Sequence, residues 1–131
     1  MKRIFIATII LAILIILFGI IPAYSGTRYR RIQVTATAYC PCVICCGSHS
    51  DGKTAIGRDA KLPGIAVDPM VIPLRSRVDI PGYSRSGTNG SWVKADDTGR
   101  LIKGNRIDLR FESHKEAKQY GVKKITIRVW D

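Results

Sequence analysis

Three aspartates and one knot of cysteines hold most of the chemical possibilities in this chain. Asp68 closes the short apolar run Gly64–Val67 just before Pro69. Asp97 follows Asp96 at the end of Ser91–Ala95 and precedes Thr98-Gly99. Asp108 lies between Ile107 and Leu109, inside Arg106–Phe111. A carboxylate within or at the tip of an apolar β segment is costly unless it is paired or used. Burial raises its pKa and a second carboxylate nearby raises it further. An acid is kept protonated near neutral pH in this way, ready to donate its proton. Plainer roles exist for each: Asp68 and Asp97 as turn residues satisfying backbone N–H groups, and Asp108 as the partner of Arg106 or Arg110 on its own strand face. Of the ten acidic residues only four precede position 96 and only two are glutamates, so carboxylate chemistry has few other candidates.

Cys40, Cys42, Cys45 and Cys46 fall within seven residues. In a reducing compartment such a cluster suggests zinc, in an exported chain disulfides. The expectation is two local disulfides pinning the loop after the first strand, with no metal and no cofactor. A metal knot of all four thiolates is the alternative, and free thiols are the third possibility. His49 and His114 are read as solvated, and nothing in the sequence orients either of them as a base for a nucleophilic cysteine.

The elements that position these residues read as mainly β. Ile32–Tyr39 alternates and is rich in β-formers. Gly64–Val67, Arg77–Ile80, Ser91–Ala95, Arg106–Phe111 and Lys124–Trp130 follow as short strands punctuated by Gly, Pro and Asn. Six strands of this kind predict a closed barrel rather than an open sheet. One short helix is signalled by Ser113-His-Lys-Glu116, a capping box, with Gly121 as its stop. Ser84–Ser91 reads as a flexible hairpin loop.

Lys2 and Arg3 precede Ile4–Ile21, which is uncharged and apolar apart from Thr8. Eighteen residues at about 1.5 Å each give roughly 27 Å, close to the bilayer core. Residues 1–25 are therefore read as a signal peptide, with Ala23-Tyr-Ser25 as cleavage site, or as an uncleaved transmembrane anchor. Both readings place residues 32–131 outside the cytoplasm, membrane-anchored or secreted. The 131 residues carry a formal charge of +11 with 46% hydrophobic and 24% charged residues, which excludes a disordered composition. No repeat of 20–50 residues is present, which excludes a solenoid. The basic balance suits anionic partners such as wall polymers or lipid headgroups. Nucleic acid is not expected, for want of an aromatic-interleaved basic run or zinc-finger spacing.

Ala66-Val-Asp-Pro69, Ala95-Asp-Asp-Thr-Gly99 and Lys103-Gly-Asn-Arg-Ile-Asp108 together resemble the 3D domain, named for three aspartates. Asp51-Gly-Lys-Thr-Ala-Ile-Gly57 is similar to its Gly-x-Thr-Ala-x-Gly segment, and Tyr39–Gly47 to a cysteine-rich variant of it. The resemblance covers about residues 32–130. It implies a six-stranded double-psi β-barrel with one short helix and, as in MltA-type and stationary-phase lytic transglycosylases, non-hydrolytic cleavage of peptidoglycan. Asp68, Asp97 and Asp108 match the family's aspartates, Asp108 the catalytic acid/base, and Thr54 matches a site-lining threonine. Asp96 and the stretched 84–91 loop depart from the pattern.

The chemistry suits a site with few carboxylates. Hydrolytic glycosidases ordinarily need two. A lytic enzyme manages with one, because the 6-hydroxyl of the sugar is the nucleophile and is held close to C1. Asp108 would move the protons, while Asp97 and Asp68 raise its pKa, orient substrate or stabilise charge at C1. Lys94 and Lys103 are candidate contacts for lactyl or peptide carboxylates, and Trp92 for a sugar face, although as a strand residue it suits the core equally. The expected partners are peptidoglycan glycan strands and, through the N-terminal segment, the membrane. A barrel that binds wall polysaccharide without cleaving it is the competing reading.

Overall fold

A computed structural model describes residues 28–49, 51–85 and 92–131; the leader expected over 1–25 and most of the 84–91 loop lie outside them. Six strands are formed: β1 (Arg30–Tyr39), β2 (Ile65–Ala66), β3 (Arg77–Asp79), β4 (Trp92–Asp97), β5 (Arg106–Arg110) and β6 (Lys123–Trp130). They close into a barrel in the order β1-β5-β2-β4-β3-β6. Two pairs run parallel, β1 with β5 and β2 with β4, and the antiparallel β2–β5 contact joins them. This interlocking of two parallel crossings is the double-psi arrangement expected. Closure leaves no strand edge exposed for mispairing.

Alternation along the strands explains the core. Val34 and Ala36 of β1, Ile107 and Leu109 of β5, and Ile127 and Val129 of β6 point inward and are buried. Ile65, Val67, Val78, Ile80, Val93 and Ala95 complete the cluster. β2 is only two residues long, shorter than its apolar run suggests, because Gly64 and Val67 bond out of the ladder: Arg110 N–H donates to the Gly64 carbonyl (3.1 Å) and Val67 N–H to that of Asp97 (3.0 Å).

Two short helical pieces follow β1: α1 (Val43–Cys46) and a 3-10 turn at Gly47–His49. Their seed is the carbonyl of Cys42, which accepts from the backbone N–H groups of Cys45 (3.1 Å) and Cys46 (2.8 Å). The helix announced by the capping box is α2 (His114–Tyr120). Ser113 accepts from the Glu116 N–H while the Glu116 carboxylate accepts from the Ser113 N–H, so both orphan donors are satisfied. Ala117 is its buried residue, and Tyr120 tilts against Phe111 at 5.3 Å between ring centroids. Among the described residues no helix is long and apolar enough to cross a membrane.

Candidate active site

Register alone brings two of the aspartates together. Ala66 of β2 is the partner of Asp97 on β4 and of Asp108 on β5, and Asp108 is in turn the partner of Thr37 on β1. Thr37, Asp108, Ala66 and Asp97 thus form one row across four neighbouring strands. Strands lie about 4.8 Å apart, so the two aspartate Cα atoms are separated by roughly 10 Å with only a methyl between them. A cleft of about 530 Å³ opens over this row. Its walls include Tyr39, Thr54, Thr98 and Arg100, together with Cys45 and Cys46 of α1.

The side chains in the row are held differently. Asp108 is half-buried and accepts a 2.8 Å hydrogen bond from the Thr37 hydroxyl. Burial raises its pKa and the charge of Asp97 adds to this, while the Thr37 hydroxyl and Arg106 oppose it. Asp97 is wrapped by donors instead: the Tyr39 hydroxyl (2.9 Å) and the backbone N–H groups of Ala55 (3.0 Å) and Thr98 (2.9 Å). The Tyr39 hydroxyl also accepts from Arg110 Nε at 2.8 Å, and burial raises the pKa of that phenol, so it stays a donor to Asp97.

Asp68 stands apart from these two. It is not part of the cleft wall, and its carboxylate accepts from the backbone N–H groups of Gly104 (2.8 Å) and Met70 (3.1 Å). These bonds, with Lys103 nearby, lower its pKa. Its geometry is that of a clamp holding the β4–β5 loop to the end of β2, upstream of the strand that carries Asp108.

A β-bulge separates the paired aspartates of β4. Ile65 pairs with Ala95 and Ala66 with Asp97, so Asp96 is the extra residue. It turns away from the cleft and is fully buried, bound by Arg110 (2.6 Å) and by Arg58. Gly64 packs against its carboxylate so closely that a Cβ at that position would overlap it. Arg110 pairs with Asp96 rather than with Asp108, so the ion pair considered for Asp108 on the Arg110 side is not formed.

The remaining candidates divide. Thr54 lines the cleft, and its buried hydroxyl accepts from the Arg58 N–H (3.0 Å), fixing the 54–58 turn. Lys94 is exposed on β4 and lines a different depression, with Arg58, Arg77 and Trp92. Lys103 is exposed beside Asp68. The basic residues that do border the cleft are Lys53 and Arg100. Trp92 lies against Trp130 (4.2 Å between centroids) with the Arg77 guanidinium 3.3 Å above its ring. Thr37, Tyr39, Lys53 and Arg100 were not singled out from sequence as site residues. Tyr39 and Lys53 lie within motifs already quoted, which is the signal that could have found them, whereas Thr37 and Arg100 join the site through strand pairing and loop packing.

The structure closes no disulfide among the four cysteines. Cys40 Sγ lies 2.7 Å from Cys42 Sγ and 3.3 Å from Cys45 Sγ, both well beyond the bonded distance of about 2.05 Å. Cys46 is turned elsewhere, its Sγ donating to the Cys40 carbonyl at 3.4 Å. His114, read as solvated, places Nδ1 3.4 Å from Cys45 Sγ.

Residues 64–131 match the 3D domain model, and the chain belongs to the 3D domain family. It is 40% identical over 104 residues to the cell wall-binding protein YocH of Bacillus subtilis (strain 168), covering 76% of this chain and 32% of that one. It is 39% identical over 110 residues to the SPbeta prophage-derived uncharacterized protein YorM of the same organism, covering 79% and 43%. The chain therefore spans less than half the length of these relatives. Among solved structures it is similar to the Streptomyces papain inhibitor (SPI), with a TM-score of 0.47 and 18% identity over 78% of this chain and 96% of that one.

Proposed function

We propose that this protein is an extracytoplasmic lytic transglycosylase of peptidoglycan in which Asp108 is the single acid/base. The observation that carries the reading is the contrast within the row: Asp108 faces the cleft half-buried with its pKa raised, while Asp97 beside it is saturated with donors. The first is the condition of a proton donor, while the second is a carboxylate held in one orientation by its hydrogen bonds.

In this mechanism protonated Asp108 gives its proton to the glycosidic oxygen between N-acetylmuramic acid and N-acetylglucosamine. The C1–O4 bond breaks and positive charge develops at C1, facing the carboxylate of Asp97. The Asp108 carboxylate then takes the proton of the muramic acid 6-hydroxyl as O6 bonds to C1. The product is a 1,6-anhydro end, no water is consumed, and Asp108 recovers its proton. Lys53 and Arg100 at the rim suit the acidic lactyl and peptide groups of the strand.

The name of YocH supports a second reading, in which the same cleft holds wall polymer without cleaving it. Incubation of the full chain with purified sacculi, followed by mass spectrometry of the soluble products, separates the two. Anhydro-muropeptides are expected, and they should vanish with Asp108→Asn while that variant still sediments with sacculi. Reducing ends would point to a hydrolase. Intact sacculi carrying bound protein would overturn catalysis in favour of binding.

A further inference from the structure

Outside the aspartate row, the molecule gathers a second chemical cluster from two distant elements. One donor atom from each of Cys40, Cys42, Cys45 and His114 lies within 4.8 Å of all the others. Three of these residues come from the end of β1 and the turn that starts α1. The fourth comes from the first turn of α2, 69 residues after Cys45. A tetrahedral zinc site with Zn–S distances of about 2.3 Å has sulfur–sulfur edges of about 3.8 Å, so Cys40 Sγ and Cys42 Sγ, 2.7 Å apart, would open by about 1 Å, and Cys40 Sγ and Cys45 Sγ, 3.3 Å apart, by about half as much, to surround one ion.

We propose that Cys40, Cys42, Cys45 and His114 form a structural site for one Zn²⁺ ion. Two features distinguish it from an unfinished disulfide. First, disulfide formation has no use for an imidazole, yet His114 Nδ1 is set against Cys45 Sγ at 3.4 Å. Second, Cys46 is left out, bonded to the Cys40 carbonyl. Two disulfides would require all four cysteines; a Cys₃His site requires these three.

A soft set of three sulfurs and one nitrogen selects zinc over calcium or magnesium, which prefer oxygen. Each ion bound releases three thiol protons to solvent. The neutral imidazole completes the coordination and leaves one net negative charge. All four positions are then filled by protein, as in a structural rather than a catalytic zinc centre. The consequence is mechanical. The ion joins the turn bearing Cys45 and Cys46, which wall the aspartate cleft, to α2 on the barrel's flank. This inference does not rest on the transglycosylase reading, since a binding barrel would need the same wall.

The test is an anaerobic titration of the reduced full chain, first with Co²⁺ and then with Zn²⁺ in competition. The expected result is one equivalent of Co²⁺ showing the thiolate charge-transfer and tetrahedral d–d bands, displaced by one equivalent of Zn²⁺, with a higher Tm in the zinc form. Cys40 is buried and its variant risks misfolding, so the decisive variants are at exposed positions. His114→Ala should weaken zinc affinity by more than the roughly 10–100-fold that loss of an outer-sphere partner costs. Cys45→Ser should abolish the tetrahedral spectrum, and Cys46→Ser should leave stoichiometry and spectrum unchanged. Lack of saturable binding would overturn the proposal. So would a site lost in Cys46→Ser but intact in His114→Ala, which would be a four-thiolate knot.

Discussion

Asp96 and Asp97 are neighbours in sequence and opposites in situation. Asp96 is sealed beneath the barrel wall between two guanidinium groups, with Gly64 leaving room for it. Asp97 points into the cleft, where the Tyr39 hydroxyl and two backbone N–H groups hold it. A single bulge residue makes the difference, because one extra residue sends successive side chains to regions of different solvent access. The two regions are nevertheless joined: Asp96 binds Arg110, Arg110 donates to Tyr39, and Tyr39 donates to Asp97. The buried pair thus serves as the foundation of the exposed one. Asp96 is buried and fully compensated, whereas Asp108 is half-buried with one hydroxyl donor, which is the contrast the proposed acid/base role of Asp108 rests on.

The comparison breaks most visibly at Asp108. Asp108→Asn keeps the shape and can still accept from Thr37, so thermal stability should hold while release of anhydro-muropeptides falls about 10²–10⁴-fold, the usual worth of a general acid/base. Unchanged turnover would remove Asp108 from the mechanism. The reverse pattern is expected at Asp96. Asp96→Asn strips the charge between Arg58 and Arg110, and the uncompensated buried guanidinium should cost about 3–5 kcal/mol by denaturant unfolding. A loss below about 1 kcal/mol would show that the pair is not what supports the wall. Gly64→Ala forces a methyl against the same carboxylate and should cost about 1–3 kcal/mol, as overpacking generally does.

A finer test uses pH. Under the proposed mechanism protonated Asp108 is the donor, so cleavage should decline as pH rises through its elevated pKa. Thr37→Val removes a bond that lowers that pKa and should move the alkaline limb to higher pH. Asp97→Asn removes a charge that raises it and should move the limb to lower pH. Limbs that stay in place in both variants would assign the titration to another group. Stability has the same sign at Asp108: its folded pKa exceeds the unfolded value of about 3.9, so its contribution is full below that pH and is lost as pH rises through the folded value. Asp68 runs the opposite way. Its lowered pKa means a contribution present above about pH 3.9 and lost as pH falls through the folded value.

Much of the architecture was legible in the sequence because its signals are local. Alternation in Ile32–Tyr39 and Lys124–Trp130, punctuation by Pro and Gly, and the Ser113–Glu116 box each act within a few residues, and all six strands and α2 appear where those signals lie. The site was legible only in part. Asp108 and Asp97 meet because Ala66 pairs with both, a fact of register that no local pattern encodes. Lys94 was considered as a substrate contact by its place in a strand near Asp97, yet it opens on another depression. The division between Asp96 and Asp97 depends on a bulge, and the meeting of His114 with Cys45 on the docking of a helix, so neither is visible in spacing alone.

The ion pair between Arg30 and Asp131, at 2.8 Å, fastens the first residue of β1 to the end of β6. β1 then runs ten residues to Tyr39 at the cleft, about 30 Å at the usual rise of a strand. The two ends of the described barrel are thus held side by side, so a segment leading into Arg30 and one following Asp131 would meet the barrel at a single place.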